Sequence, residues 1–184
     1  WNHRWDDDKQ PDVFVRALER LAADGQSVRL ILCGDDAWSD GGRRREAIAR
    51  LPHPVHHAGH ADRDHNESLL GAADIVVSVA THEFFGVAVV EAIAAGCVPV
   101  LPRRLSYPEL VPREYHDAAL YPEGGFRARL AAVAADLDGA RSRIDGLDRT
   151  MRRFDWSNVA AQLDDVLRAA TTSGPGAPGI GQAE

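Results

Sequence analysis

Residues 78–102 read S-V-A-T-H-E-F-F-G-V-A-V-V-E-A-I-A-A-G-C-V-P-V-L-P, and their reading decides the fold. A strand ends near Ser78, a polar loop covers residues 81–85, a helix opens near Gly86, and a second strand occupies residues 98–101. From residue 87 to residue 95 every side chain is apolar except Glu91. A helix apolar all round is expected to be buried, and a carboxylate on it then needs a hydrogen-bonding partner. The helix start turns free backbone N–H groups and a partial positive charge toward the loop, an arrangement that suits a phosphate. Glu83 adds a second carboxylate in the loop itself.

Working outward, the same alternation repeats. Upstream, Pro11 marks a helix entrance, and Phe14, Ala17, Leu18, Leu21 and Ala22 recur at helical spacing until Gly25. Residues 27–34 form a short apolar strand, and Asp40 is placed to cap a helix ending near Leu51, before Pro52 and Pro54. Residues 55–59 read as a weaker strand, and Asn66 as the cap of a short helix ending near Gly71. Residues 1–4 look like the end of a strand whose apolar beginning is missing, as in a fragment. Downstream, residues 103–112 read as a Pro- and Tyr-containing loop and residues 118–121 as a last short strand. An Ala-rich helix follows Gly124 and Gly125. A final helix then carries Trp156, Val159, Ala160, Leu163, Val166 and Leu167 on one face. Residues 171–184 have no periodicity and read as a disordered tail after a domain spanning residues 1–170.

Strands alternating with helices through short loops predict an α/β fold, a doubly wound, Rossmann-like parallel sheet. Ligands in such folds bind at the carboxyl ends of the strands. The polar segments near residues 2–9, 34–36, 57–62, 81–86 and 103–109 all fall there.

The 184 residues suffice for one domain of ordinary size, and 45% apolar with 27% charged content is that of a globular chain. No run is long and apolar enough for a membrane span, and the polar, acidic N-terminus is no targeting peptide. Cys33 and Cys97 read as buried thiols of a reducing cytosol, so a cytoplasmic location is expected. A net charge of −7 leaves no electrostatic footprint for nucleic acid over the chain as a whole.

With these residues in view, the chain resembles the C-terminal, nucleotide-sugar-binding half of a GT-B glycosyltransferase of family 4. The resemblance rests on Glu83 and Glu91 eight positions apart, with Gly86, Ala92 and Gly96 around them, and on Arg4 and Lys9 after the first strand. The wording W-N-H-R-W-D-D-D-K-Q-P, H-E-F-F-G-V-A-V-V-E-A and R-L-S-Y-P-E-L is similar to the tRNA-queuosine mannosyltransferase branch. Ser106 and Tyr107 stand where the wider family often has a Gly-Gly pair. The resemblance implies a retaining transfer of mannose from GDP-mannose to queuosine in tRNA, without metal or other cofactor. It also implies that tRNA is bound mainly by an N-terminal domain absent from this sequence, and that the fragment alone turns over poorly. A different acceptor, or a non-catalytic nucleotide-binding module, is the alternative.

By the same resemblance, Arg4 and Lys9 hold the donor diphosphate and act catalytically with Glu83, which contacts the hexose. Against this stands an ordinary surface pairing of Arg4 and Lys9 with residues 6–8. Glu91 takes the two ribose hydroxyls, the alternative being a carboxylate satisfied by backbone or arginine. The N–H groups of Phe85, Gly86 and Val87 complete a phosphate cradle, while the Phe84 and Phe85 side chains are expected to pack. Gly59 lies near the base and Glu109 near the sugar. His56, His57, His60 and His65 with Asp62 and Asp64 lack a defined ligand spacing and are set aside as a metal site. His82 reads as a solvated loop histidine, and residues 43–45 (R-R-R) as a solvated helix face, with a weak RNA contact the lesser reading.

Overall fold

The computed structural model describes residues 1–34, 46 and 48–172. The Asp40 cap, the acidic pair 35–36, the arginines 43–45 and the tail 173–184 lie outside the described residues. The chain divides into two compact units, Trp1–Met151 and Arg152–Glu184. The second unit contributes one helix, Trp156–Thr172, which includes the two threonines assigned above to the tail.

Among the described residues, the first unit carries five strands: β1 (Leu30–Cys33), β2 (Val55–Gly59), β3 (Ile75–Val77), β4 (Val98–Pro102) and β5 (Leu120–Tyr121). Its helices are α1 (Pro11–Ala23), α2 (Arg63–Gly71), α3 (Val87–Ala94), α4 (Tyr107–Leu110), α5 (His116–Ala119), α6 (Phe126–Ala135), α7 (Leu137–Arg143) and α8 (Leu147–Thr150). All strand pairs are parallel, β1 with β2 and β3 with β4 with β5. The opening residues lie between the two groups. Asn2 bridges Cys33 in parallel, Cys33 N–H donates to the Trp1 carbonyl at 2.9 Å, and the His3 imidazole reaches the Val77 carbonyl at 3.2 Å. This is the doubly wound arrangement the alternating pattern predicts.

Burial is uneven across the sheet. Val98, Val100 and Leu101 on β4 have no solvent exposure, as a strand covered on both faces requires. β2 is largely open, with Val55, His56 and Ala58 exposed. The aromatic cluster of Trp1, Trp5 and Phe14 closes the base of α1, Trp1 stacking on Phe14 at 4.8 Å. Gly34 sits against this cluster at φ 150°, and a Cβ there would meet Trp5 at 2.8 Å and the His3 carbonyl oxygen at 2.9 Å, so no side chain fits.

Three local expectations change. The cap of α2 is Asp62, which accepts from the His65 N–H at 2.9 Å, and Asn66 lies inside the helix. The segment read as a loop over 103–112 contains the turn α4, because Pro108 is compatible with a first helical turn. Of residues 118–121, Leu120 and Tyr121 form β5, and the preceding pair belongs to α5. Among the described residues, no helix is long and apolar enough to cross a membrane.

Candidate functional site

The carboxyl ends of β1–β4 and of the opening segment meet along one edge, stitched by main-chain contacts. Gly34 N–H donates to the Gly59 carbonyl at 3.2 Å, and Thr81 N–H donates to the Asp8 carbonyl at 2.8 Å. Ser106 Oγ donates to the Phe85 carbonyl at 2.9 Å. The loops bearing Gly59, Asp8, Lys9, Glu83, Phe85 and Ser106 are thus held in one continuous rim.

Lys9 is the centre of this rim. Its chain position is 8% exposed, and its ammonium donates to the His82 carbonyl at 2.7 Å and to Glu83 Oε2 at 3.1 Å. Asp8 Oδ2 lies at 3.4 Å. A buried ammonium needs such partners, and the three acceptors match its three donors. Glu83 is held by the same contact, its side chain 16% exposed. Arg4, by contrast, is an open side chain ion-paired with Asp6 at 3.0 Å, a geometry that contributes little to stability and leaves most of its guanidinium facing solvent.

Beside Glu83 the chain turns into α3 at Gly86, φ 95°. The turn needs glycine for its left-handed backbone, and a Cβ there would approach Leu110 Cδ1 to 3.2 Å and Tyr107 Cε1 to 3.5 Å. No side chain caps α3. Its first N–H groups, with the positive end of the helix, remain available to an acceptor from outside the helix.

The all-round burial expected of α3 is corrected here. Val89, Val90, Ala92 and Ile93 are buried against the sheet, but Val87, Glu91, Ala94 and Ala95 are exposed. Residues 87, 91 and 94 share one face of a helix, and that face is open. Glu91 therefore needs no protein partner, and it is exposed on that face. For the Phe84 side chain the packing expectation changes likewise. It is 87% exposed, against 42% for Phe85, and meets the exposed His82 ring edge-on at 4.6 Å.

Beneath the rim lies a polar network that composition and spacing did not reveal. Ser78 Oγ and the Tyr107 hydroxyl share a hydrogen bond of 2.7 Å, and the Tyr121 hydroxyl donates to the Ser78 carbonyl at 2.6 Å. Ala80 N–H donates to Ser78 Oγ at 3.2 Å, and the Arg104 guanidinium donates to the Val79 and Ala80 carbonyls. Burial pushes the Tyr107 hydroxyl up to about 12, against the opposing effect of its Ser78 hydrogen bond, and burial raises that of Tyr121 as well. Both hydroxyls stay protonated, and that of Tyr121 donates. The partners are 29 and 43 residues from Ser78; the only sequence signal was a serine at the end of an apolar strand.

The remaining candidates are placed as follows. Gly59 ends β2 at φ 127°, its carbonyl also 3.1 Å from His57 Nε2. Glu109 is exposed on α4, beside the buried Tyr107. His57 and His65 meet edge-on at 4.8 Å, while Asp62 is engaged as a helix cap. Among the described residues, no group of three or more His, Cys, Asp or Glu is arranged to hold a metal ion.

Comparison with known proteins bears on this rim. The sequence profile of the family described as glycosyl transferases group 1 matches residues 3–135. The tRNA-queuosine alpha-mannosyltransferase of Drosophila melanogaster is 36% identical over 114 residues, covering 62% of this chain and 30% of that protein. The D-inositol 3-phosphate glycosyltransferase of Xylanimonas cellulosilytica is 31% identical over 180 residues, covering 91% of this chain and 41% of that protein. The chain thus spans less than half the length of either relative. Among solved structures, sucrose-phosphate synthase from Thermosynechococcus elongatus superposes with a TM-score of 0.71 at 21% identity, over 92% of this chain and 44% of that one; this likeness concerns the fold.

Proposed function

This chain belongs to the group 1 glycosyl transferases, and on that footing we propose that it is the donor-binding half of a retaining enzyme that moves mannose from GDP-mannose to queuosine in tRNA. The observation that carries the donor reading is the uncapped start of α3, preceded in the chain by Glu83 with its Lys9 contact and followed by the exposed Glu91. A nucleotide-sugar offers matching groups: a diphosphate for the helix start, a ribose diol for a carboxylate, and hexose hydroxyls for a second carboxylate.

In this reading the N–H groups at Phe85, Gly86 and Val87 cradle the diphosphate. The free side of the Arg4 guanidinium grips its oxygens as a fork. Lys9 turns toward it in exchange for Asp8, the most distant of its three acceptors. Positive charge there stabilises the leaving diphosphate as negative charge grows on it, so the step calls for no metal or other cofactor. Glu91 accepts both ribose hydroxyls, Glu83 positions the hexose, Gly59 lines the base, and Glu109 approaches the sugar. The choice of mannose and queuosine is supported by the 36% identical relative and by the wording of residues 1–11, 82–92 and 104–110. The rest of the enzyme's length supplies most of the acceptor site, so this chain alone binds donor and turns over poorly or not at all.

Calorimetric titration with GDP, UDP, ADP and GDP-mannose, repeated on Glu91→Ala, tests the donor half. GDP and GDP-mannose should bind best, and the variant should lose about 1.5–3 kcal/mol, the scale of charged hydrogen bonds. Absence of nucleotide binding by the folded chain would sink the reading. A second reading, transfer to an inositol phosphate, is favoured by the relative that covers 91% of the chain. Mannosylation assays of the longer protein with tRNA and with inositol phosphate separate the two.

A further inference from the structure

A groove of about 890 Å³ runs between α1 and the start of α6, past the carboxyl ends of β4 and β5. Arg16, Arg20, Arg103, Arg104 and Arg127 line it, with Glu123. Five guanidinium groups line it with one carboxylate, and the pairing of two of the five with Asp117 and Asp24 leaves a local excess of two positive charges, on a chain whose net charge is −7.

The five are not equivalent. Arg104 is occupied by the Val79 and Ala80 carbonyls and holds the scaffold. Arg103 pairs with an exposed Asp117 at 2.9 Å, and Arg127 with Asp24 at the limit of contact, 3.5 Å. Arg16 and Arg20 are exposed and make no ion pair or hydrogen bond among the described residues. They lie one turn apart on α1, where like charges repel, so the folded chain gains nothing from the pair. Thr81 and Gln10 also line the groove, and they adjoin His82 and Lys9 in sequence. One end of the groove therefore opens beside the candidate donor site.

We propose that this groove is a track for the phosphodiester backbone of an RNA acceptor, holding it alongside the donor site. The inference rests on the reading of the acceptor as tRNA and adds to it a surface on this half of the enzyme. The charge matches a polyanion. The groove's aromatic residues, Tyr121 and Phe126, are buried, so no ring is offered for base stacking, and the track holds phosphates without reading sequence. A lipid surface fits less well. Membrane-surface binding combines basic with exposed apolar side chains, and the large exposed apolar residues of the first unit, Val55, Phe84, Phe85, Val87 and Leu105, lie outside the lining.

The test is fluorescence anisotropy of the 184-residue chain with a tRNA transcript between about 50 and 200 mM salt. The same titration is run on the triple variant Arg16→Ala/Arg20→Ala/Arg127→Ala and with anionic phospholipid vesicles as competitor. The parent chain should bind with strong salt dependence. The variant should bind roughly tenfold or more weakly and lose about two to three from the slope of log affinity against log salt, with its GDP titration unchanged. No binding of tRNA by the parent at low salt, an unaltered slope in the variant, or displacement of the RNA by vesicles would each overturn the proposal. In the longer protein, tRNA mannosylation unaffected by the three substitutions would remove the groove and leave the acceptor assignment standing. Mannosylation of inositol phosphate and not tRNA would remove the acceptor assignment itself.

Discussion

Two neighbouring parts of one stretch behave in opposite ways. Where the chain leaves β3, at residues 78–80, the polar groups are engaged by Tyr107, Tyr121 and Arg104. A few residues on, where it enters α3, no side chain caps the helix, and Glu91 and Val87 face solvent. The first part is a scaffold whose interactions are complete within the protein. The second holds its groups in place while leaving them for something else. The difference teaches that substitutions in the first part should act on stability and those in the second on binding, and each experiment below is a way to break that division.

The largest effect belongs to Tyr107→Ala. The side chain has no solvent exposure and fills the space against Gly86, so its removal should cost about 3–5 kcal/mol, the range for large aromatic truncations. Tyr107→Phe keeps the shape and removes the hydrogen bond to Ser78, whose hydroxyl still accepts from Ala80 N–H, and should cost about 0.5–1.5 kcal/mol. Denaturant unfolding at constant slope measures both. A cost below about 1 kcal/mol for the alanine variant would mean that the floor under α3 is not pinned as described.

His3 gives the scaffold a pH dependence. Burial foremost, with the nearby Lys9 charge, lowers its value from 6.5 to about 4, and its Nε2–H is held by the Val77 carbonyl. Between these values the unfolded chain binds a proton that the folded chain does not. Stability from this group is therefore complete above about pH 6.5 and is lost as pH falls toward 4, by roughly 3 kcal/mol. Unfolding free energies at pH 7 and pH 4.5 should differ in the native sequence, and the difference should shrink in His3→Gln. An equal difference in the variant would assign the acid sensitivity to other groups.

The same division explains what was legible in the sequence. β2, β4 and the opening of α3 follow from short-range patterns: an apolar run, a glycine, a change of period. Lys9 and Glu83 could be named from resemblance, but their direct contact spans 74 residues of chain and comes from the crossing of two loops. The Ser78 network is invisible for the same reason. The exposure of Glu91 is hidden for another: an apolar composition predicts burial on every side, whereas α3 presents Val87, Glu91 and Ala94 outward while its other face fills the core. Composition does not distinguish an exposed apolar face from a core face.

Phe84 gives the smallest stability effect and the sharpest separation of the two parts. It is 87% exposed and touches the exposed His82 ring, so the folded chain has almost nothing to lose from its truncation. Phe84→Ser should change unfolding free energy by no more than about 0.5 kcal/mol, as for surface positions away from special features. A ring held at the rim beside Glu83 is nevertheless placed to cover whatever enters there, and covering would bury apolar area that the free protein leaves in water. Donor titration of the variant should then show weaker GDP-mannose binding with little change for GDP, because Phe84 adjoins the carboxylate assigned to the sugar and not the one assigned to the ribose. Equal losses for the two ligands would move Phe84 to the nucleotide. A loss of stability without a loss of affinity would place Phe84 in the scaffold and break the division at its most exposed residue.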